Sequence, residues 1–136
     1  MTIRPATPDD AAAVLALWAR SRSASASTPD DERSVARAIE HGALLVAELD
    51  GGELAGTLIA ASDGWRGNMY RLTVAPERRR RGIALALVAA GEASLRERGV
   101  RRITALVARE DAVAVALWRV AGYADDAGIA RYVKNL

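Results

Sequence analysis

Residues 69–84 constrain this chain more than any other stretch. They read Met-Tyr-Arg-Leu-Thr-Val-Ala-Pro-Glu-Arg-Arg-Arg-Arg-Gly-Ile-Ala. A strand-like run, Met69 to Val74, enters a short turn, and a long apolar helix pattern leaves it at Ile83. A helix that begins at such a turn aims unsatisfied backbone N–H groups, and the positive end of its dipole, at whatever lies before it. That is an anion site, and phosphate or pyrophosphate is its natural guest. Gly82 lets the backbone approach such a ligand closely, and the small Ala84 keeps the next turn open.

At 136 residues the chain is expected to form one domain with a sizeable core. Half of its residues are hydrophobic but phenylalanine is absent, so Ala, Val and Leu must build that core. The absence of cysteine excludes disulfides, thiolate zinc sites and a cysteine nucleophile. The single histidine, His41, argues against a multi-histidine metal site, and no metal is expected. Met1-Thr2-Ile3-Arg4-Pro5 lacks an apolar signal region and no run is long enough to span a bilayer. The expectation is a cytoplasmic protein with no membrane partner. The net charge of +2 does not by itself imply a nucleic-acid partner, and none is expected.

The rest of the chain divides cleanly. Ile3 to Ala6 reads as a first strand. Thr7-Pro8-Asp9-Asp10 starts a helix that runs to about Arg20, with Thr7 as N-cap and Pro8 at the first position. Ser21 to Ser27 is a small, polar loop. Thr28-Pro29-Asp30-Asp31 repeats the helix-start chemistry, and Gly42 ends that second helix. Ala43–Leu49 and Glu53–Ala61 form strands joined by an Asp50-Gly51-Gly52 hairpin turn. After the Asp63–Gly67 loop, Asn68–Val74 is a strand. Ile83–Arg98 is a helix stopped by Gly99, Arg102–Val107 a buried strand, and Asp111–Ala121 a helix ended by Gly122. Tyr123 opens a strand, and Ile129–Val133 closes the chain with another. The order is β-α-α-β-β-β-α-β-α-β-β, an α/β (α+β) arrangement in which an antiparallel meander feeds a parallel β-α-β unit to give a mixed sheet.

Val74-x-Pro76 followed by Arg79-x-x-Gly82-x-Ala84 resembles the acetyl-CoA signature of the GNAT family of N-acetyltransferases, usually written Arg/Gln-x-x-Gly-x-Gly/Ala. The element order resembles that fold over nearly the whole chain, which implies a single GNAT domain over residues 1–136. Arg80 stands where glycine is frequent and Ala84 takes the last glycine's place, but neither removes a backbone N–H. The resemblance implies that Leu72, Thr73 and Val74 pair with the pantetheine arm of acetyl-CoA. It places the pyrophosphate at Arg79, Arg80, Arg81, Gly82, Ile83 and Ala84, with Arg79 and Arg81 the preferred side-chain contacts. It also implies transfer of the acetyl group to a primary amine, a small molecule being favoured over a protein, and allows a homodimer.

A second segment, Asp111 to Tyr123, is similar to the family's Asn-x-x-Ala-x-x-Leu-Tyr…Gly-Phe run through Ala114, Leu117 and Gly122. Asp111, Trp118 and Tyr123 depart from it. Asp111 either contacts the cofactor, as in relatives, or caps the helix. Trp118 stands where many relatives carry a tyrosine that protonates the leaving thiolate. An indole N–H donates a hydrogen bond but is not a useful acid near neutral pH. Coenzyme A would then leave as a thiolate or take its proton from water, while Trp118 packs on the pantetheine arm or fills the core.

The reaction asks little else of the protein: a neutral amine attacks the thioester, and a backbone N–H stabilises the oxyanion. Val74 N–H is the candidate by its place in the motif. The fourth strand carries no carboxylate to act as base. Glu48, Asp63, Glu32, His41 and Tyr123 are candidates elsewhere, and a water chain serves equally. Trp65, in a glycine-bounded loop, lines the acceptor pocket or covers the core. Arg96, Arg98, Arg101 and Arg102 read as a solvated face. Two other functions compete: an acetyl-CoA-binding sensor or interaction module, and a nucleic-acid binder working through Arg78 to Arg81, ranked lower because no stacking platform accompanies the arginines.

Overall fold

The structure, a computed structural model, describes residues 1–21 and 30–136. Its strands are β1 (Thr2–Pro5), β2 (Leu44–Glu48), β3 (Leu54–Ser62), β4 (Gly67–Val74) and β5 (Ile103–Ala105). Its helices are α1 (Ala11–Ser21), α2 (Glu32–Glu40), α3 (Ile83–Glu97) and α4 (Ala112–Val120). The sheet runs β1-β2-β3-β4-β5 in spatial order. The first four strands pair antiparallel, and β4 pairs parallel with β5, so the sheet is mixed as expected.

Each face of the sheet carries its own helices. On one face α1 buries Val14, Leu17 and Trp18, an i, i+3, i+4 stripe. Val35 of α2 joins Val14 and Trp18 over Leu44, Val46 and Ile59. On the other face α3 buries Ile83, Leu87, Val88 and Leu95 against Leu58, Ala60 and Met69, and Trp118 of α4 closes the same cluster. Each such aliphatic side chain contributes about 1.5–3 kcal/mol by leaving water. The start of α3 lies very close to the sheet at Gly56, where an added Cβ would sit 2.8 Å from Thr73 O and 3.0 Å from Leu87 Cδ1.

Two features of β4 position the site. The ladder with β5 is only three residues long, Gly67 opposite Ile103 to Met69 opposite Ala105, and beyond it the two strands part. The ladder with β3 is interrupted: Thr57 faces Thr73 but Ile59 faces Tyr70, so β4 carries one extra residue there. This is a β-bulge, and Arg71 within it has φ of 55°.

The two C-terminal strands expected from Tyr123 and from Ile129–Val133 do not form; no strand follows α4 among the described residues. Tyr123 instead turns inward, edge-on to Trp118 with ring centroids 4.8 Å apart. Asp125 and Asp126 pair with Arg109 and Arg102 on the surface, while Ile129, Tyr132 and Val133 stay exposed. Apolar content makes a strand only where there is a ladder and a face to cover, and the three-residue β5 offers little of either.

Candidate functional site

The turn between β4 and α3 gathers backbone N–H groups that can receive an anion. Ala75 N–H donates to Ala55 O at 2.8 Å while Gly56 faces Val74, so the Gly56–Val74 pair is of the non-hydrogen-bonded kind. Val74 N–H therefore turns away from β3, toward the side where β5 has already ended. A one-turn 3-10 segment, Pro76–Arg78, then bends the chain, and Arg78 is tied to Glu53 at 2.8 Å. Arg80 and Gly82 both take left-handed backbone, with φ of 62° and 78°. Gly82 is the N-cap of α3, and Ala86 N–H makes the first helical bond back to its carbonyl. The N–H groups of Ile83, Ala84 and Leu85 thus head the helix without intrahelical acceptors. A Cβ built on Gly82 would meet nothing within 4 Å, so the cradle is open at that point. Arg79, Arg80 and Arg81 are exposed beside it and form no ion pair among the described residues. The free N–H groups at the helix end and the three exposed guanidiniums beside it can hold an anion such as a pyrophosphate.

Leu72, Thr73 and Val74 lie on the half of β4 beyond its ladder with β5, all partly buried. Asp111 caps α4, accepting Ala114 N–H at 3.0 Å. Trp118 is 6% exposed and is part of the α3-side core, against Tyr123. Its ring packs within that core.

On the opposite face of the sheet a cavity of about 530 Å³ opens between α1, α2 and the middle of β3 and β4. Its floor includes Trp18, Ile59, Tyr70 and Arg71. Trp18 Nε1 donates to Thr57 Oγ1 at 2.9 Å, and that hydroxyl donates to Arg71 O at 3.0 Å. Thr57 is fully buried and links α1, β3 and the bulge through one oxygen. The Arg71 guanidinium lies 5.1 Å over the Trp18 ring and forms an ion pair with Asp30. The bulge is what sends Arg71 here: Met69 before it faces the α3-side core, and Leu72 and Val74 after it do so too. The cavity therefore meets β4 where β4 and β5 begin to part.

Of the candidate bases, His41 alone lines this cavity. Glu48 is bound to Arg4 Nε at 2.6 Å. Asp63 accepts the N–H groups of Arg66 and Trp65, which hold its carboxyl below the ordinary range. Burial, and then its 2.9 Å bond to Glu92, push the Tyr123 phenol well above its ordinary value, so it stays protonated and donates. Glu32 lies in the first turn of α2, exposed and outside the cavity lining. Trp65 neither lines the cavity nor covers the core: it is 80% exposed. Arg98, read as part of a solvated face, bonds Gly42 O at 3.1 Å at the cavity's edge. The loop Ser21–Ser27, apart from Ser21 at the end of α1, and the Thr28-Pro29 part of the second helix start lie outside the described residues.

Trp18, Asp30 and Arg71 were legible only as a helix, a helix start and a strand residue. One signal was present for the bulge. The core-facing residues of the fourth strand fall at 69, 72 and 74, a step of three in a strand whose period is two. Among the described residues no cluster of His, Cys, Asp or Glu could hold a metal ion, and no helix is long and apolar enough to cross a membrane.

Comparison with known proteins yields one consistent set of likenesses. The family model described as "Acetyltransferase (GNAT) family" matches residues 11–123. An acetyltransferase of Photorhabdus laumondii subsp. laumondii is 36% identical over 127 residues, 92% of this chain and 87% of that protein. The ribosomal-protein-alanine N-acetyltransferase from Brucella melitensis superposes with a TM-score of 0.75 at 25% identity, covering 90% of this chain and 83% of that one. AAC(6′)-Iy, solved in complex with the bisubstrate analog CoA-S-monomethyl-acetylneamine, superposes with a TM-score of 0.79 at 19% identity, covering 99% and 98%.

Proposed function

The chain belongs to the acetyltransferase (GNAT) family, and on that premise we propose that it transfers the acetyl group of acetyl-CoA to a primary amine by direct attack of the amine on the thioester. The observation that carries this reading is the open left-handed turn at Gly82, set at the head of α3 and next to the Val74 N–H that β3 does not use. Gly82, Ile83 and Ala84 hold the pyrophosphate through their N–H groups, with Arg79 and Arg81 closing on it. Leu72, Thr73 and Val74 line the pantetheine arm. Val74 N–H donates to the oxygen that gains charge as the amine adds, which is where a fixed donor lowers a barrier most. Proton removal from the amine falls to water or to His41, the one candidate on the cavity. A small acceptor is favoured, since the cavity is of small-molecule size. The bound analog of AAC(6′)-Iy joins CoA to an amine-bearing ligand, which supports an amine as acceptor on this fold.

The test is thermal unfolding with acetyl-CoA, with NAD and ATP as controls, followed by thiol release on adding amines. A melting temperature that rises with acetyl-CoA alone supports the reading. No shift, in protein shown to be folded, refutes it. A second reading, an acetyl-CoA-binding sensor or interaction module, draws on the burial of Trp118 where relatives place an acid. Acetyl-CoA stabilisation without thiol release from any amine would favour it.

A further inference from the structure

The cavity beside β4 is lined by more cationic groups than anionic ones. Its lining includes three guanidiniums, Arg37, Arg71 and Arg98, the His41 imidazole, and a single carboxylate, Asp30. That carboxylate is engaged with Arg71, which also lies on the Trp18 ring. Arg98 donates to Gly42 O, and a carbonyl dipole satisfies a hydrogen bond without neutralising the charge. Arg37 and Arg98 form no ion pair with a carboxylate among the described residues. Of the acids at α2, Asp31 accepts Ser34 N–H and lies near enough to Arg37 for their charges to interact without an ion pair, and neither Glu32 nor Glu40 lines the cavity. The cavity mouth thus carries an excess of positive charge, held by residues from α2 and the end of α3 that play no part in the turn at Gly82.

A polycationic amine entering this cavity meets like charge, whereas an acceptor that carries an anion beside its amine meets two guanidiniums suited to a carboxylate or phosphate. We propose that the acceptor is a primary amine bearing an anionic group, and that Arg37 and Arg98 bind that group at the cavity mouth while the amine reaches β4 at Tyr70 and Arg71. This rests on the acetyl-transfer reading for the identity of the amine as acceptor, but the preference for an anion is a property of the cavity itself.

Two readouts separate the two. In the first, thiol release from acetyl-CoA is followed with glutamate and phosphoethanolamine as anionic amines, and with glutaminamide and spermidine as their uncharged-tail and polycationic counterparts, at fixed ionic strength. In the second, thermal unfolding is measured with the same four amines and no acetyl-CoA. Glutamate or phosphoethanolamine is expected to exceed both counterparts in kcat/KM and in stabilisation, and whichever of the two leads identifies the anion as carboxylate or phosphate. The Arg37→Glu, Arg98→Glu double variant is expected to lose about tenfold or more in kcat/KM for that amine, mainly through KM, and to lose its stabilisation. It should keep its stabilisation by acetyl-CoA, which shows that it is folded. Preference for spermidine or glutaminamide in either readout, or a double variant that matches the parent, overturns the proposal. Anion-specific stabilisation that the double variant abolishes, with no thiol release from any amine, would uphold the anionic site and refute acetyl transfer.

Discussion

The two halves of the candidate site are made in opposite ways. The turn at Gly82 comes from one contiguous stretch, Leu72 to Ala84, and most of its working groups are backbone N–H. The cavity on the other face gathers Trp18, Arg37, Arg71 and Arg98 from two helices, a strand and the end of a third helix. A local site depends on backbone geometry at one glycine. A dispersed site depends on the packing that brings distant elements together, so it should be sensitive to changes far from any ligand.

The sharpest way to break this contrast is Gly82→Asp. An aspartate there adds a negative charge to the cradle and forces a side chain onto left-handed backbone, a cost of about 1–2 kcal/mol. Acetyl-CoA affinity is expected to fall by about a hundredfold or more, seen as a vanished thermal shift with unchanged far-UV circular dichroism. Unchanged affinity would remove the turn from the site.

Thr57→Val probes the dispersed half. It takes away the acceptor of Trp18 Nε1 and the donor to Arg71 O in one step. The buried indole N–H is left without a partner, which costs about 1–3 kcal/mol in chemical denaturation. Amine KM should rise while acetyl-CoA affinity holds; equal losses of both would mean that the halves are not separable.

Acid should act on the same half through α1. The Arg4 guanidinium, desolvation notwithstanding, holds the Asp10 carboxyl at about 2 against an ordinary 3.8, and the same carboxylate accepts Thr7 N–H at the start of α1. Because the folded value is depressed, this stabilisation is present above the unfolded value and is lost as pH falls toward the folded one. From about pH 5 down to about pH 2 the protein should lose on the order of 1–2 kcal/mol from this group. Asp10→Asn should flatten that part of the stability profile, and an unaltered slope would assign acid sensitivity to other carboxylates.

The smallest effect is expected at Trp118→Tyr. The ring sits in the α3-side core, so the change should destabilise by about 1 kcal/mol and leave turnover no higher. A rise in kcat would show that position 118 reaches the leaving thiolate after all.

The same contrast explains what the sequence disclosed. Strand, turn, glycine and helix follow one another along residues 69–84, so the anion turn could be read directly, and periodicity located every helix and the first five strands. Asp111 was legible as a cap because capping is a relation between residues three apart. Arg98 was not legible as a cavity residue, since its neighbour Gly42 is remote in sequence and no local pattern encodes that contact. Residues 123–133 misled because β propensity was counted without asking what strand would receive them. The bulge at Arg71 could have been found from the broken alternation of Met69, Leu72 and Val74.

The early end of β5 has a consequence for solubility. A strand with uncommitted N–H groups ordinarily invites a second chain to extend the sheet. Here the Val74 N–H that turns from β3 lies on the β5 side of β4, past the end of the three-residue β4–β5 ladder. The part of β4 past Met69 is short and carries the bulge at Arg71, and short, bulged edges are poor templates for pairing. Backbone donors can stay unpaired there with less risk of templating aggregation.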